Sequence, residues 1–228
     1  MTHIAGSDAS EIVAGHRSAG LKTTRRRLGH TTDTQSAGPD FASRAEPKFW
    51  LSVLENYPQL RLNLAHFGSF TQAFSANSGG EPETHYDKTW EAQIAAFVKK
   101  GRFRNIYADI SYFYWALDGQ TETKSIGAAK KMFAKYIEAD PSVEHLMFGT
   151  DWNMTGKAAN FDGYVENVEA FFIDLGLNEV QLDNLFYKNA SRFLGLDRDT
   201  KASARLKAFY TKAGKPYANF RNKRVNSS

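Results

Sequence analysis

The hydrophobic residues form two kinds of pattern along the chain. Apolar stripes at spacings of three and four residues predict amphipathic helices at 47–57, 90–101, 124–138, 161–176, 182–195 and 202–212. Short, continuous apolar runs of strand length lie between them at 60–66, 105–110 and 145–148. Helix and strand therefore alternate, a pattern typical of parallel β/α units whose strands are buried on both faces. The pattern predicts an α/β fold.

Glycine and proline place the ends of these helices. Pro58 stops the first helix, and Gly101, Gly176 and Gly195 follow the last apolar residue of three others. Before the regular pattern begins, residues 5–46 are rich in Gly, Ser, Thr, Asp and Arg, which predicts a long irregular loop. We therefore expect one globular portion over 1–196, followed by a basic helix and tail over 197–228.

The composition fits a globular protein and limits the chemistry that it can perform. The 228 residues are 42% hydrophobic and 14% aromatic, which is enough to form a core, and they include no cysteine. Thiolate nucleophiles and cysteine-ligated zinc are thereby excluded, so a bound metal would be held by nitrogen and oxygen ligands. Without a long apolar run or a signal-like N-terminus, the chain is predicted to be cytoplasmic and not membrane-bound.

The positive charge is confined to the C-terminal tail. The formal net charge is +4, but residues 201–228 contain eight of the 29 Lys and Arg residues and no acidic residue. The preceding 200 residues therefore carry 21 basic and 25 acidic side chains. A solvated tail is favoured over a nucleic-acid or phosphate partner, which stays the alternative.

Polar residues stand at the carboxyl ends of the predicted strands, which is where α/β proteins place their active sites. His66, Asp109 and Asp151 each stand at the carboxyl end of an apolar run, and His3 near the N-terminus is compatible with a similar position. Taken singly, a structural histidine or a capping aspartate explains each position. Taken together, two imidazoles and a carboxylate can hold a divalent ion that activates water.

Four segments carry a resemblance to a known family. Residues 57–68, 106–111, 148–152 and 185–196 resemble successive landmarks of the amidohydrolase-related family that includes aminocarboxymuconate semialdehyde decarboxylase. The resemblance implies a distorted (β/α)8 barrel of the TIM type with a divalent metal, zinc in the first place and manganese in the second. By this resemblance Asp151 corresponds to the eighth-strand metal ligand and proton acceptor, His66 to the sixth-strand histidine, and His3 to the fifth-strand ligand.

The chain departs from that family at one important point. The His-x-His pair of the family's first strand occurs nowhere in the sequence. Only the second half of the barrel, about four β/α units, is therefore expected. Such a half-barrel would expose strand edges and an apolar inner face, which a second copy of the chain could cover as a homo-oligomer.

The predicted activity is hydrolysis of a small carboxylated or cyclic substrate by metal-activated water, with Asp151 and His66 as catalytic residues. Non-oxidative decarboxylation within the same family is the alternative chemistry. A truncated, non-catalytic remnant or interaction module is the alternative from another class.

Three other groups of residues leave their role open. Asp109 and Ser111 could contact substrate, although hydrogen bonds that order the following loop are favoured. The aromatic residues 112–115 could line a pocket or pack in the core. The arginines at 25–27 could clamp a substrate carboxylate, although a solvated loop is favoured.

Overall fold

The structure is a computed structural model, and it describes residues 46–68, 89–101, 103–113, 124–157 and 161–217. Three short strands alternate with helices along these residues: β1 (Leu62–Leu64), β2 (Ile106–Asp109) and β3 (Leu146–Met147). The α-helices are α1 (Leu51–Asn56), α2 (Trp90–Lys99), α3 (Lys124–Ala139), α4 (Trp152–Thr155), α5 (Tyr164–Asp174), α6 (Glu179–Asp183), α7 (Asn189–Leu194) and α8 (Lys201–Lys212). Short 3-10 helices span Pro47–Trp50, Ala65–Gly68 and Phe161–Gly163, and a π-helix spans Asn184–Lys188.

The strands form one parallel sheet in the order β1-β2-β3, which confirms the predicted α/β class. Within the described residues the sheet has three strands and is open, so the half-barrel of about four units is only partly reproduced. The strand suggested by His3 lies outside the described residues, as do nearly all of the predicted loop 5–46 and the tail beyond residue 217.

One face of the sheet forms the main core. In the strand register Leu64, Ala108 and Leu146 lie side by side on this face, together with Leu62 and Ile106. All five belong to a buried cluster that also includes residues of α2, α3 and α5. Burying this apolar area is the main force that holds the helices on the sheet.

The opposite face of the sheet is also covered at β2 and β3 by residues of the chain itself. Cover of the remaining apolar surface by a second copy stays a prediction. Tyr107 and Met147 point to the opposite face, yet they are only 7% and 5% exposed. The ring of Phe193 in α7 packs on Tyr107 with 5.5 Å between centroids. Burial correspondingly raises the pKa of the Tyr107 hydroxyl.

The backbone of β3 finds partners on its outer edge without another strand. The backbone N–H of Phe148 donates to Leu185 O over 2.7 Å, and Asn189 Nδ2 donates to Leu146 O over 2.6 Å and to Val143 O over 2.7 Å. Residues of the helical segments therefore form the hydrogen bonds that the backbone N–H and carbonyl groups of an exposed edge would lack. The expectation of an exposed edge is wrong for β3.

The predicted helices agree with the structure to within a few residues, except for the segment 182–195. The stripe at 182–195 predicts one helix, whereas the observed path begins at Glu179 and passes through the π-helix before α7. Asn178 starts this path because its side chain accepts from Gln181 N while the Gln181 side chain accepts from Asn178 N. The predicted glycine ends are confirmed: Gly101, Gly176 and Gly195 all have positive φ.

The basic helix α8 spans Lys201–Lys212, close to the predicted 202–212, and none of its residues is buried. Among the described helices, none has both the length and the apolar character needed to cross a bilayer. The domain boundary at 196 stays a prediction.

Candidate functional site

The residues of interest follow the carboxyl ends of the three strands, which lie at one edge of the parallel sheet. We call this the carboxyl edge; it comprises residues 65–68, 109–113 and 148–152. Each of its three segments contains a non-glycine residue in the left-handed region: His66 with φ 56°, Tyr112 with φ 57° and Asp151 with φ 45°. Such conformations cost free energy and persist only where the surroundings enforce them, which is common at functional sites.

The carboxylate of Asp109 holds this edge together. Its Oδ2 accepts from Asn63 Nδ2 over 2.6 Å. Its Oδ1 accepts from the backbone N–H of His66 over 3.1 Å and of Ser111 over 3.0 Å, and also from the hydroxyl of Ser111. One carboxylate thus connects the ends of β1 and β2, and we call Asn63, His66, Asp109 and Ser111 the Asp109 cluster. Asp109 and Ser111 are thus hydrogen-bonded to each other, as the sequence analysis favoured, while the loop that follows residue 113 lies outside the described residues.

The imidazole of His66 lies against Ser111. Its Nδ1 is 3.0 Å from the carbonyl oxygen of Ser111 and 3.0 Å from its hydroxyl. The ring is therefore held from the side of Nδ1 by the end of the neighbouring strand.

Phe67, the next residue, explains why the backbone of His66 can keep its left-handed conformation. Phe67 also has a positive φ, of 50°, and its ring is fully buried. It stacks on Phe133 of α3 at 5.2 Å and meets Tyr136 edge-on at 4.9 Å. Because this aromatic packing fixes Phe67 and Asp109 fixes the backbone N–H of His66, the two consecutive left-handed residues are stabilised from both sides.

Tyr164 joins the ends of β2 and β3. Its buried hydroxyl accepts from Phe113 N over 3.0 Å and donates to Gly149 O over 3.2 Å. Burial, and to a smaller extent the negative charges of Asp109 and Asp151, raise the pKa of Tyr164 to about 12. The neutral phenol thus persists through the physiological range and stays available to donate.

Gly149 allows a close approach between the same two strand ends. A Cβ at this position would lie 3.0 Å from Ser111 Cβ, which is too close without a shift of one of the two segments. The absence of a side chain therefore lets the segment that leads to Asp151 pack directly on the residue that contacts His66.

Asp151 precedes α4 and is half-buried. Its side chain does not cap that helix, which argues against the capping role that the sequence left open. Within the described residues its carboxylate accepts no hydrogen bond and forms no ion pair, although its charge acts on Tyr164. An oxygen donor of this kind suits a divalent cation.

The described residues supply only part of a metal site. They contain no group of three or more His, Asp or Glu residues placed to share an ion. Catalytic zinc sites use about three protein ligands, and of the predicted ligands only Asp151 lies within the described residues, so its ligand type fits while the number falls short. His3, the other predicted ligand, lies outside the described residues, and so do the arginines at 25–27, Tyr114 and Trp115.

Two residues that contact the carboxyl edge were not singled out by the sequence. Asn63 holds Asp109 from β1, and Tyr164 ties the two loops together. A signal was present for each: an amide inside an apolar strand, and a hydroxyl on a helix stripe that is otherwise filled by Val and Phe. Of the aromatic run after β2, Phe113 is fully buried in the core while Tyr112 is 37% exposed.

Comparison with known proteins gives one result. Residues 49–196 match a family model described as amidohydrolase, a range that spans more than half of the 228 residues and includes β1, β2 and β3 together with the carboxyl edge. Neither the curated proteins nor the solved structures provide a match. The chain belongs to the amidohydrolase family.

Proposed function

We propose that this protein is a metal-dependent hydrolase of a small carboxylated or cyclic substrate, with Asp151 and His66 at its chemical centre. The family match supports an amidohydrolase-type enzyme in general. The finer assignment draws on the carboxyl edge, where parallel α/β sheets bind their ligands.

One observation carries this proposal. His66 follows β1 and Asp151 follows β3, and both adopt left-handed backbone conformations at the carboxyl edge. Ser111, at the end of β2, contacts the ring of His66 and packs against Gly149, two residues before Asp151. His66 and Asp151 thus stand on either side of the end of β2, and backbone strain of this kind is common where a fold positions functional side chains.

The residues would divide the work as follows. Asp151, together with His3, would hold a divalent ion, zinc or manganese, which when bound lowers the pKa of water and polarises the scissile group. Asp151 would accept the proton of the attacking water. His66 would orient that water or stabilise developing negative charge, because an imidazole near neutral pH can either accept or donate a proton.

Metal retention tests the proposal directly. The purified chain is stripped with a chelator, incubated with Zn²⁺ or Mn²⁺, freed of excess ion and subjected to elemental analysis. We expect about one ion per site in the unchanged chain and a loss of retention in Asp151→Ala. Asp162→Ala is the matched control, because Asp162 is an exposed carboxylate outside the carboxyl edge.

Each other outcome has a defined meaning. If the unchanged chain retains no ion, the metal-dependent proposal is wrong and a non-catalytic interaction module replaces it. If it retains the ion and releases carbon dioxide from candidate carboxylic acids, decarboxylation replaces hydrolysis. Opening of candidate lactones without carbon dioxide supports the hydrolase.

A further inference from the structure

The contacts of the Asp109 cluster determine where the proton of His66 lies. The carbonyl oxygen of Ser111, 3.0 Å from Nδ1, can only accept a hydrogen bond. If Nδ1 carried a lone pair, the two would repel. The proton of the neutral ring is therefore placed on Nδ1.

The hydroxyl of Ser111 leads to the same conclusion. It has two neighbours, the carboxylate of Asp109 and Nδ1 of His66. The carboxylate can only accept, so the hydroxyl donates its one proton to Asp109 and turns a lone pair toward His66. All these contacts pair a donor with an acceptor only when Nδ1 is protonated.

We infer that Asp109, acting through Ser111, is a positioning residue that holds neutral His66 with its proton on Nδ1 and its lone pair on Nε2. The same carboxylate fixes the left-handed backbone of His66 through its N–H. Asp109 thus sets both the direction of the ring and the nitrogen that can accept a proton. This inference rests on the proposed function for its catalytic meaning, since Nε2 is the atom that would act on water.

The tautomer can be measured without substrate or metal. The ¹⁵N-labelled chain is studied by long-range ¹H–¹⁵N NMR in the presence of a chelator, over a series of rising pH that ends where the ¹⁵N shifts of the histidines no longer change. The signals of His66 are assigned by their loss in His66→Gln. Imidazole in water favours the proton on Nε2, so a ring protonated on Nδ1 stands out from solvated histidines.

Variants of Asp109 separate positioning from a general structural role. In Asp109→Ala the hydroxyl of Ser111 is released to donate to Nδ1, in competition with the carbonyl oxygen of Ser111, which still accepts there. The population of His66 protonated on Nδ1 is therefore expected to fall in favour of Nε2. Asp109→Asn is expected to keep the proton on Nδ1, because an amide oxygen can replace Oδ1. The amide nitrogen then takes the place of Oδ2, which Asn63 Nδ2 contacts, so the Asn63 amide must turn over. Its Oδ1, which is buried without a hydrogen-bond partner among the described residues, can then accept from this nitrogen. Asp162→Ala is again the carboxylate control and should leave the spectrum unchanged.

The outcomes are distinct from those of the metal experiment. Protonation of His66 on Nε2 in the unchanged chain would overturn the inference, as would a folded Asp109→Ala with the same tautomer populations as the unchanged chain. If Asp109→Ala does not fold, Ser111→Ala takes its place: it removes the hydroxyl acceptor and keeps the carbonyl, so the population of the Nδ1 form should fall. An unchanged population there would contradict the relay. A chain that retains no ion but shows the expected tautomer would contradict only the proposed function.

Discussion

Two Asp and His clusters lie at opposite ends of the sheet and use similar contacts for different purposes. At the carboxyl edge, Asp109 accepts from backbone and side-chain donors beside His66. Before β3, Asp140 accepts from Tyr136 Oη, Glu144 N and His145 N over 3.1, 3.0 and 2.9 Å. His145 Nδ1 in turn lies 2.8 Å from Ile106 O.

The difference lies in what surrounds each cluster. Asp140 is 5% exposed and stands at the amino end of the sheet, where its hydrogen bonds shape the turn into β3. The Asp109 cluster lies at the carboxyl edge, where His66, Phe67, Tyr112 and Asp151 have a positive φ, against only Val143 beside Asp140 among the described non-glycine residues. The nearby carboxylate of Asp151 accepts no hydrogen bond from the described residues. In β/α folds the amino end of the sheet serves stability and the carboxyl end serves chemistry. The two histidines therefore look alike in sequence but are expected to respond differently to substitution.

The largest loss of stability is expected from Asp140→Ala. The change leaves two backbone N–H groups and a buried phenol without an acceptor, and each such group costs about 1–3 kcal/mol. We expect a decrease of about 3 kcal/mol in the free energy of unfolding, measured by urea denaturation. Asp140→Asn, which keeps one acceptor oxygen, should lose clearly less. A loss below that of Asp162→Ala would contradict the structural role of this cluster.

Asn189→Ala is expected to have the next largest effect. It removes the donor that satisfies Leu146 O and Val143 O at the outer edge of β3, at an expected cost of about 2 kcal/mol. Asn189→Asp should be at least as damaging, because a carboxylate would face two carbonyl oxygens. The exposed Asn56→Ala is the control in the same urea experiment. Equal stability of the Asn189 and Asn56 variants would show that this edge is closed by other contacts.

Tyr164→Phe is expected to cost about 1–2 kcal/mol, because Phe113 N and Gly149 O lose their partner. The pH dependence gives a second measurement. The pKa of Tyr164 is raised to about 12 from an ordinary value of 10.0, so the unfolded chain releases this proton first. The stability that this group contributes is complete below pH 10 and is lost as the pH rises toward 12.

The urea midpoint of the unchanged chain should therefore fall between pH 9 and pH 11 by more than that of Tyr164→Phe. Tyr57→Phe is the matched control, because Tyr57 is 67% exposed. Parallel pH curves for all three chains would contradict the role assigned to the buried phenol.

The smallest effect on stability is expected at Asp151. Glycine adopts the left-handed conformation without a steric penalty, so Asp151→Gly should change the free energy of unfolding by less than about 0.5 kcal/mol. The same variant should lose metal retention. A strong destabilisation would place Asp151 with Asp140 among the structural carboxylates and remove the contrast between the two ends of the sheet.

The alternation of helices and strands could be predicted because it depends on local hydrophobic periodicity. The helix ends at Gly101, Gly176 and Gly195 and the three apolar strands follow from the sequence, as does the placement of His66, Asp109 and Asp151 at strand ends. The family was recognisable for the same reason: its landmarks are short segments at strand ends and in one helix. Membership implies a TIM-barrel-like fold, of which the described residues form an open, three-stranded part.

The contacts between residues that are distant in sequence were decided only by the tertiary structure. The closure of β3 by Asn189, the link of Tyr164 to Gly149 and the packing of Phe193 on Tyr107 join segments 15 or more residues apart. Hydrophobic periodicity shows which face of an element is buried but not which element covers it. By itself the sequence determined the elements and the candidate chemistry, while three-dimensional packing decided that Asp109 orients His66 and that Asp140 shapes a turn.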